Sequence, residues 1–115
     1  MLATAQDGNH QIYPLAFAIV DVESNKSWSF FFKELKKAVV PDSVDTVFVS
    51  DRHVSIGVGI RNSYILTGHG FCIYHMFHNL PDNGSSKDRQ DQWFRIAKAY
   101  TVEEYKAELQ KLSYM

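Results

Sequence analysis

The segment Ser50-Asp51-Arg52-His53 sets a carboxylate, a guanidinium and an imidazole side by side, directly after the apolar run Thr46-Val47-Phe48-Val49. In open α/β sheets, functional groups collect just beyond the carboxyl ends of strands. A carboxylate in that place is a hard oxygen ligand of the kind Mg²⁺ and Mn²⁺ prefer. Two-metal phosphoryl-transfer sites need several carboxylates around ions about 4 Å apart, so one aspartate is a ligand and not a site. The plainer alternative, an Asp capping the next helix, stays open at this level.

A second group is Cys72-x-x-His75-x-x-His78, whose spacing suits thiolate and imidazole ligation of zinc. Structural zinc usually takes four ligands, and the chain has one Cys and five His. The simpler reading makes Cys72 a small apolar residue and gives His75 a polar contact near a sheet's end. Lys33, Lys36 and Lys37 form a basic patch, most simply a solvated helix face. Gly57-x-Gly59 falls far short of a phosphate-binding loop, and no serine sits in a nucleophile elbow.

Length and composition set the frame for these residues. A chain of 115 residues suits one compact domain or a large part of one. Its 45% apolar and 14% aromatic content supports a sizeable core and argues against disorder. A net charge of −1 and a pI near 6.5 exclude a strongly basic nucleic-acid-binding domain. Any DNA contact therefore rests on a local basic stripe or on neighbouring segments. The single cysteine excludes an internal disulfide and fits a reducing, intracellular setting. No stretch has the length of a membrane span, and the first residues lack the zones of a signal peptide.

The positioning elements follow from periodicity and punctuation. Residues 2–6 and 12–20 read as a hairpin around the turn Asp7-Gly8-Asn9, with Pro14 making the second strand an edge or bulging it near its start. Ser24 is the expected N-cap of a helix whose apolar stripe is Trp28, Phe31, Phe32, Leu35, Ala38 and Val39, ending before Pro41. Thr46–Val49 reads as a short buried strand. Residues 54–63 satisfy both a period-2 strand pattern and i,i+4 helical pairs, and periodicity does not choose between them. Gly70–His75 reads as a strand or a strand-to-helix passage, and 82–88 as a loop. Two helices follow. The first carries Trp93, Ile96, Ala97 and Tyr100, and the second opens with a Thr101/Glu104 capping box and faces inward through Tyr105, Leu109 and Leu112.

Several of these motifs, in order and in register, resemble the Mutator-like element (MULE) transposase domain of the plant type. The similarity runs through Ala5-Gln6-Asp7-Gly8-Asn9, the apolar stretch Ile12–Val20, Ser27-Trp28 with Phe31-Phe32, Ser50-Asp51-Arg52-His53 with Ser55-Ile56, and Gly70–His75 with Asn79-Leu80. The resemblance implies an α/β, partial ribonuclease-H-like fold, a mixed sheet with flanking helices, followed by part of a helical insertion. The implied division is 1–80 core with its first strand missing, 81–88 loop and 89–115 incomplete insertion.

In that family three acidic residues bind divalent metal for DNA strand cleavage and transfer. Asp51 corresponds to the second acid, with Arg52 and His53 beside it and Cys72 and His75 as the supporting Cys-x2-His pair. The first Asp is expected before Met1 and the third acid, a Glu, beyond Met115. Glu103, Glu104 and Glu108 lie outside that motif. The resemblance implies Mg²⁺ or Mn²⁺ as cofactor of the full-length family, none of it held tightly by this piece alone. It also implies transposon-end DNA as partner, a nuclear location, no membrane, and no catalysis by this piece by itself. It favours a helix over 54–63, although Gly57, Gly59 and Tyr64-Ile65-Leu66-Thr67 depart from the family pattern. The absent first strand would be central, leaving the hairpin unpaired on one side. Two other readings are a domesticated, non-catalytic regulator of the far-red-impaired-response kind, and a small zinc module built on Cys72, His75 and His78.

Overall fold

The computed structural model describes residues 1–81 and 86–115. These form two compact units, Met1–Gly70 and Phe71–Met115. The elements in chain order are β1 (Leu2–Gln6), β2 (Ile12–Phe17), α1 (Asn25–Ala38), β3 (Val47–Ser50), α2 (Val54–Ser63), β4 (Gly68–Phe71), α3 (Ile73–His78), α4 (Lys87–Ala97) and α5 (Val102–Ser113). The class is mixed α/β.

The first unit is built on the packing of α1 against α2. Ser24 starts α1 by accepting the Ser27 N–H, and Lys36 and Lys37 occupy its last turn, where cations suit the negative end of the helix. Phe31, Phe32 and Leu35 of α1 are buried together with Ile56 and Ile60 of α2 and Tyr64 just beyond it. The apolar stripe stops there. Ala38 and Val39, expected to face the core, are exposed because the chain leaves the helix at that point.

Residues 54–63 are a helix, and their glycines explain why periodicity was ambiguous. A Cβ on Gly59 would lie 2.8 Å from the backbone carbon and oxygen of Trp28 and 2.9 Å from Phe32 Cδ2. Only a residue without a side chain lets the two helices approach so closely. The glycine is there for contact between helices, not for a turn or a strand.

β1 and β2 pair antiparallel, with Leu2 opposite Phe17 and Gln6 opposite Ile12. The register jumps between Ala3–Ala16 and Thr4–Pro14, so Leu15 is the extra residue of a bulge beside the proline, as Pro14 predicts. The Asp7 carboxylate closes the turn by accepting the N–H groups of Asn9 and Gln11 and the Tyr13 hydroxyl. β3 and β4 form a second pair. Gly68 N donates to the Thr46 carbonyl and Gly70 lies over the Phe48 carbonyl, so the residue numbers rise together and the strands run parallel.

The single mixed sheet expected from the resemblance is thus two separate two-stranded sheets. Each turns one side to the helices: Ala3 and Ala16 from the hairpin and Phe48 from β3 pack against the core. Phe48 sits 5.2 Å from Phe32 and 4.9 Å from Tyr64, ring to ring, in edge-on geometry. The other side is open. Phe17 is 78% exposed and Val49 68%, so β3 is buried on one face only and not on both as its apolar run suggests.

The starts of β3 and β4 are tied by one carboxylate. Asp42 accepts the N–H groups of Ile65, Leu66 and Thr67, each at 2.9 Å, and the Thr67 hydroxyl at 3.0 Å. Its partial burial acts to raise its pKa, but these hydrogen bonds outweigh that and hold it down to about 2, from an ordinary value of 3.8. Next to it the Tyr64 hydroxyl donates to the Val40 carbonyl. Burial, with the nearby Asp42 charge, pushes that hydroxyl up to about 12.

In the second unit Ser86 caps α4, so Lys87 and Asp88, expected in the loop, are helical. The rest of that expected loop, residues 82–85, lies outside the described residues. Thr101 and Glu104 form the predicted capping box of α5. The predicted faces are only partly used. Gln92 and Ile96 are the buried residues of α4, while Tyr100 lies beyond the helix and is 98% exposed. On α5, Tyr105 and Leu109 are exposed and no residue is buried.

Two outcomes test this account. Gly59→Ala should destabilise the protein by about 1–3 kcal/mol through overpacking, measured by urea unfolding. An unencumbered helical glycine would instead gain about 1 kcal/mol from the same change. Asp42 has a lowered folded-state pKa, so its contribution is complete above the ordinary carboxylate range and is lost as pH falls through about 2. Asp42→Asn should therefore lower the thermal midpoint at pH 7, with the gap to wild type closing as the pH falls below 4.

Candidate functional site

The candidate site lies where β3 ends and α2 begins. β3 delivers Ser50 at its last position, and the chain then passes through Asp51 and Arg52 to His53, the N-cap of α2. The Asp51 Oδ1 accepts the His53 N–H at 2.9 Å, and His53 Nδ1 in turn accepts the Ser55 N–H at 3.3 Å. The helix cap is His53, and Asp51 braces the turn ahead of it. Asp51 is exposed, and its second carboxylate oxygen has no hydrogen-bond partner among the described residues. Arg52 and His53 are exposed as well.

Ser50 carries two contacts that sequence reasoning did not foresee. Its hydroxyl donates to the Asp51 carbonyl at 2.7 Å and lies 2.7 Å from His69 Nε2 on β4. A hydroxyl has one proton, so with that proton on the Asp51 carbonyl the imidazole Nε2 must be the donor to Ser50 Oγ. Burial lowers the His69 pKa, and the Arg61 charge adds to the effect, so the ring is neutral near pH 7. Gly57 lies beneath the Arg61 side chain: a Cβ there would come within 3.2 Å of Arg61 Nη1, while His69 Cε1, at 4.0 Å, would be in ordinary contact.

With five histidines in the chain, nothing local to His69 singles it out. Only the parallel pairing of β3 with β4 brings it to Ser50.

In the second unit Cys72 is the N-cap residue of α3 but makes no side-chain cap hydrogen bond. His75 lies edge-on to Tyr74, with ring centroids 5.8 Å apart. The His78 ring overlaps Tyr74 at 4.1 Å, and its Nδ1 lies 2.9 Å from the Tyr74 carbonyl. Among the described residues no three His, Cys, Asp or Glu side chains are grouped so as to hold a metal ion. Two of the glutamates left out of the catalytic reading have structural duties. Glu104 completes the α5 cap by accepting the Tyr100 and Thr101 N–H groups. Glu108 accepts from Lys111 and from buried Gln92, contacts that lower its pKa in that order. Of the basic patch, Lys33 and Lys36 line a shallow cleft with Ser29, Asn62 and Ser63. Among the described residues, no helix is long and apolar enough to cross a membrane.

The model of one protein family, the MULE transposase domain, matches residues 1–79. No curated protein matches the chain. The matched region takes in Asp51, Cys72, His75 and His78, so the zinc-module reading makes a separate demand on the same residues. With those three side chains ungrouped, Cys72→Ser should leave zinc uptake and the thermal midpoint unchanged. Stoichiometric, tight zinc binding that Cys72→Ser abolishes would show that they converge after all.

Proposed function

Because the chain belongs to the MULE transposase domain family, we propose that it supplies the Asp51 carboxylate to a Mg²⁺- or Mn²⁺-dependent site for DNA strand cleavage and transfer. The observation that carries this reading is the state of Asp51. It stands exposed at the carboxyl end of a strand, braced through one oxygen and with the other unpartnered. That is the geometry of an oxygen donor ready for a hard cation.

The donor fits such a metal as one ligand, but the set is incomplete. In-line displacement needs ions that touch both the attacking and the leaving oxygen, held by several carboxylates. Among the described residues no three His, Cys, Asp or Glu side chains are grouped around Asp51 or elsewhere to hold a metal ion, so no step of strand transfer is assigned to this polypeptide by itself. DNA is the expected partner and the nucleus the expected location, both from the family.

A ribonuclease-H-like core is part of the same proposal. What supports it is the pairing of an antiparallel hairpin with a parallel strand-helix-strand unit, β3–α2–β4, on one shared core.

Manganese is paramagnetic, so titration followed by nuclear magnetic resonance detects even weak occupancy of a single carboxylate. Line broadening should centre on Asp51–His53, with a dissociation constant on the order of 1 mM or weaker for so few ligands. Asp51→Asn should remove it. Broadening centred elsewhere, or unaltered in Asp51→Asn, would reject the assignment. The isolated polypeptide should not nick supercoiled DNA with either metal, and nicking lost in Asp51→Asn would show that it carries a complete site.

A further inference from the structure

We propose that His69 is a positioning residue for Asp51, acting through Ser50. Its bearing on metal rests on the reading of Asp51 given above. The geometry is a short relay. His69 Nε2 meets Ser50 Oγ at 2.7 Å, and Ser50 Oγ meets the Asp51 carbonyl at 2.7 Å. Asp51 Oδ1 then takes the His53 N–H at 2.9 Å. The Asp51 residue is therefore held twice, at its backbone carbonyl and at its side chain, and both restraints limit where its remaining oxygen points.

The donor at Ser50 Oγ is what selects the rotamer. Without it, the hydroxyl can turn to water and release the Asp51 carbonyl, because a serine side chain has three staggered positions of similar energy. His69 is well placed to supply that donor because β4 runs alongside β3. The competing explanation is that Ser50 and His69 merely pin two strands together. In that case their loss would lower protection throughout the unit instead of at the turn.

Amide exchange of the full 115-residue chain separates the two, read residue by residue without metal. His69→Ala and Ser50→Ala should speed exchange of the His53 amide about tenfold, the scale of one lost hydrogen bond, while the Ile60 amide in the core is unchanged. His69→Gln, whose side-chain amide can still donate to Ser50, should restore the wild-type rate. Unchanged His53 exchange in Ser50→Ala, or an equal acceleration at His53 and Ile60, would overturn the proposal. If His69→Ala does not fold, Ser50→Ala alone decides the matter, since it removes the relay and leaves the ring in place. Manganese broadening adds the functional arm. It should weaken severalfold in Ser50→Ala and hold in His69→Gln. A wild-type chain with no broadening at Asp51 would reject the metal reading, and the exchange rates would still decide whether His69 positions the aspartate.

Discussion

The first unit depends on the contact between Gly59 and the backbone of Trp28. With a would-be Cβ only 2.8 Å from the Trp28 carbonyl, α1 and α2 meet backbone to backbone, closer than any side chain permits. That closeness brings Phe31, Phe32 and Leu35 into one buried cluster with Ile56, Ile60 and Tyr64. Dispersion attraction falls steeply with separation, so tight packing at the crossing is worth more than the same side chains loosely met. Everything else in the unit rests on the resulting surface. Phe48 of β3 inserts against Phe32 and Tyr64, and the hairpin leans on the same core through Ala3 and Ala16. The direction in which β3 leaves the core, and hence the location of Asp51, follows from that seat.

Two carboxylates in this unit show how environment separates structure from function. Asp42 gathers three backbone N–H groups and a hydroxyl, and its charge is consumed in holding the approach to β4 against the approach to β3. Asp51 receives one backbone N–H and keeps an oxygen facing water. A carboxylate satisfied from within has nothing to offer a cation, whereas a braced but partly unsatisfied one does. The outer faces of the two sheets are open, with Leu2, Phe17, Val47 and Val49 exposed.

Much of this was legible in order along the chain. Ser24 and the Thr101/Glu104 box mark helix starts because capping is a local hydrogen bond between neighbours. Pro14 forced a bulge because it lacks an N–H wherever it sits. The motif Ser50-Asp51-Arg52-His53 and its place after a strand carried the family, which the match over residues 1–79 establishes. Tyr64 is held by the fold on both counts, ring and hydroxyl. Its ring fills the aromatic core and its hydroxyl finds the Val40 carbonyl.

The sequence by itself therefore determined the family, the helix caps, the bulge and the candidate aspartate, since each depends on residues within a few positions of one another. The tertiary structure decided three other things. It settled 54–63 as the helix that the resemblance favoured and periodicity left open, with Gly59 packed on Trp28, thirty-one positions earlier. It chose His69 from among five histidines, because the pairing of β3 with β4 brings that ring to Ser50. It gave Asp42 its role, because three successive N–H groups turn toward one carboxylate only once two distant loops are side by side. Local chemistry is written in adjacent letters, while contacts across twenty or thirty residues exist only after the chain has closed on itself.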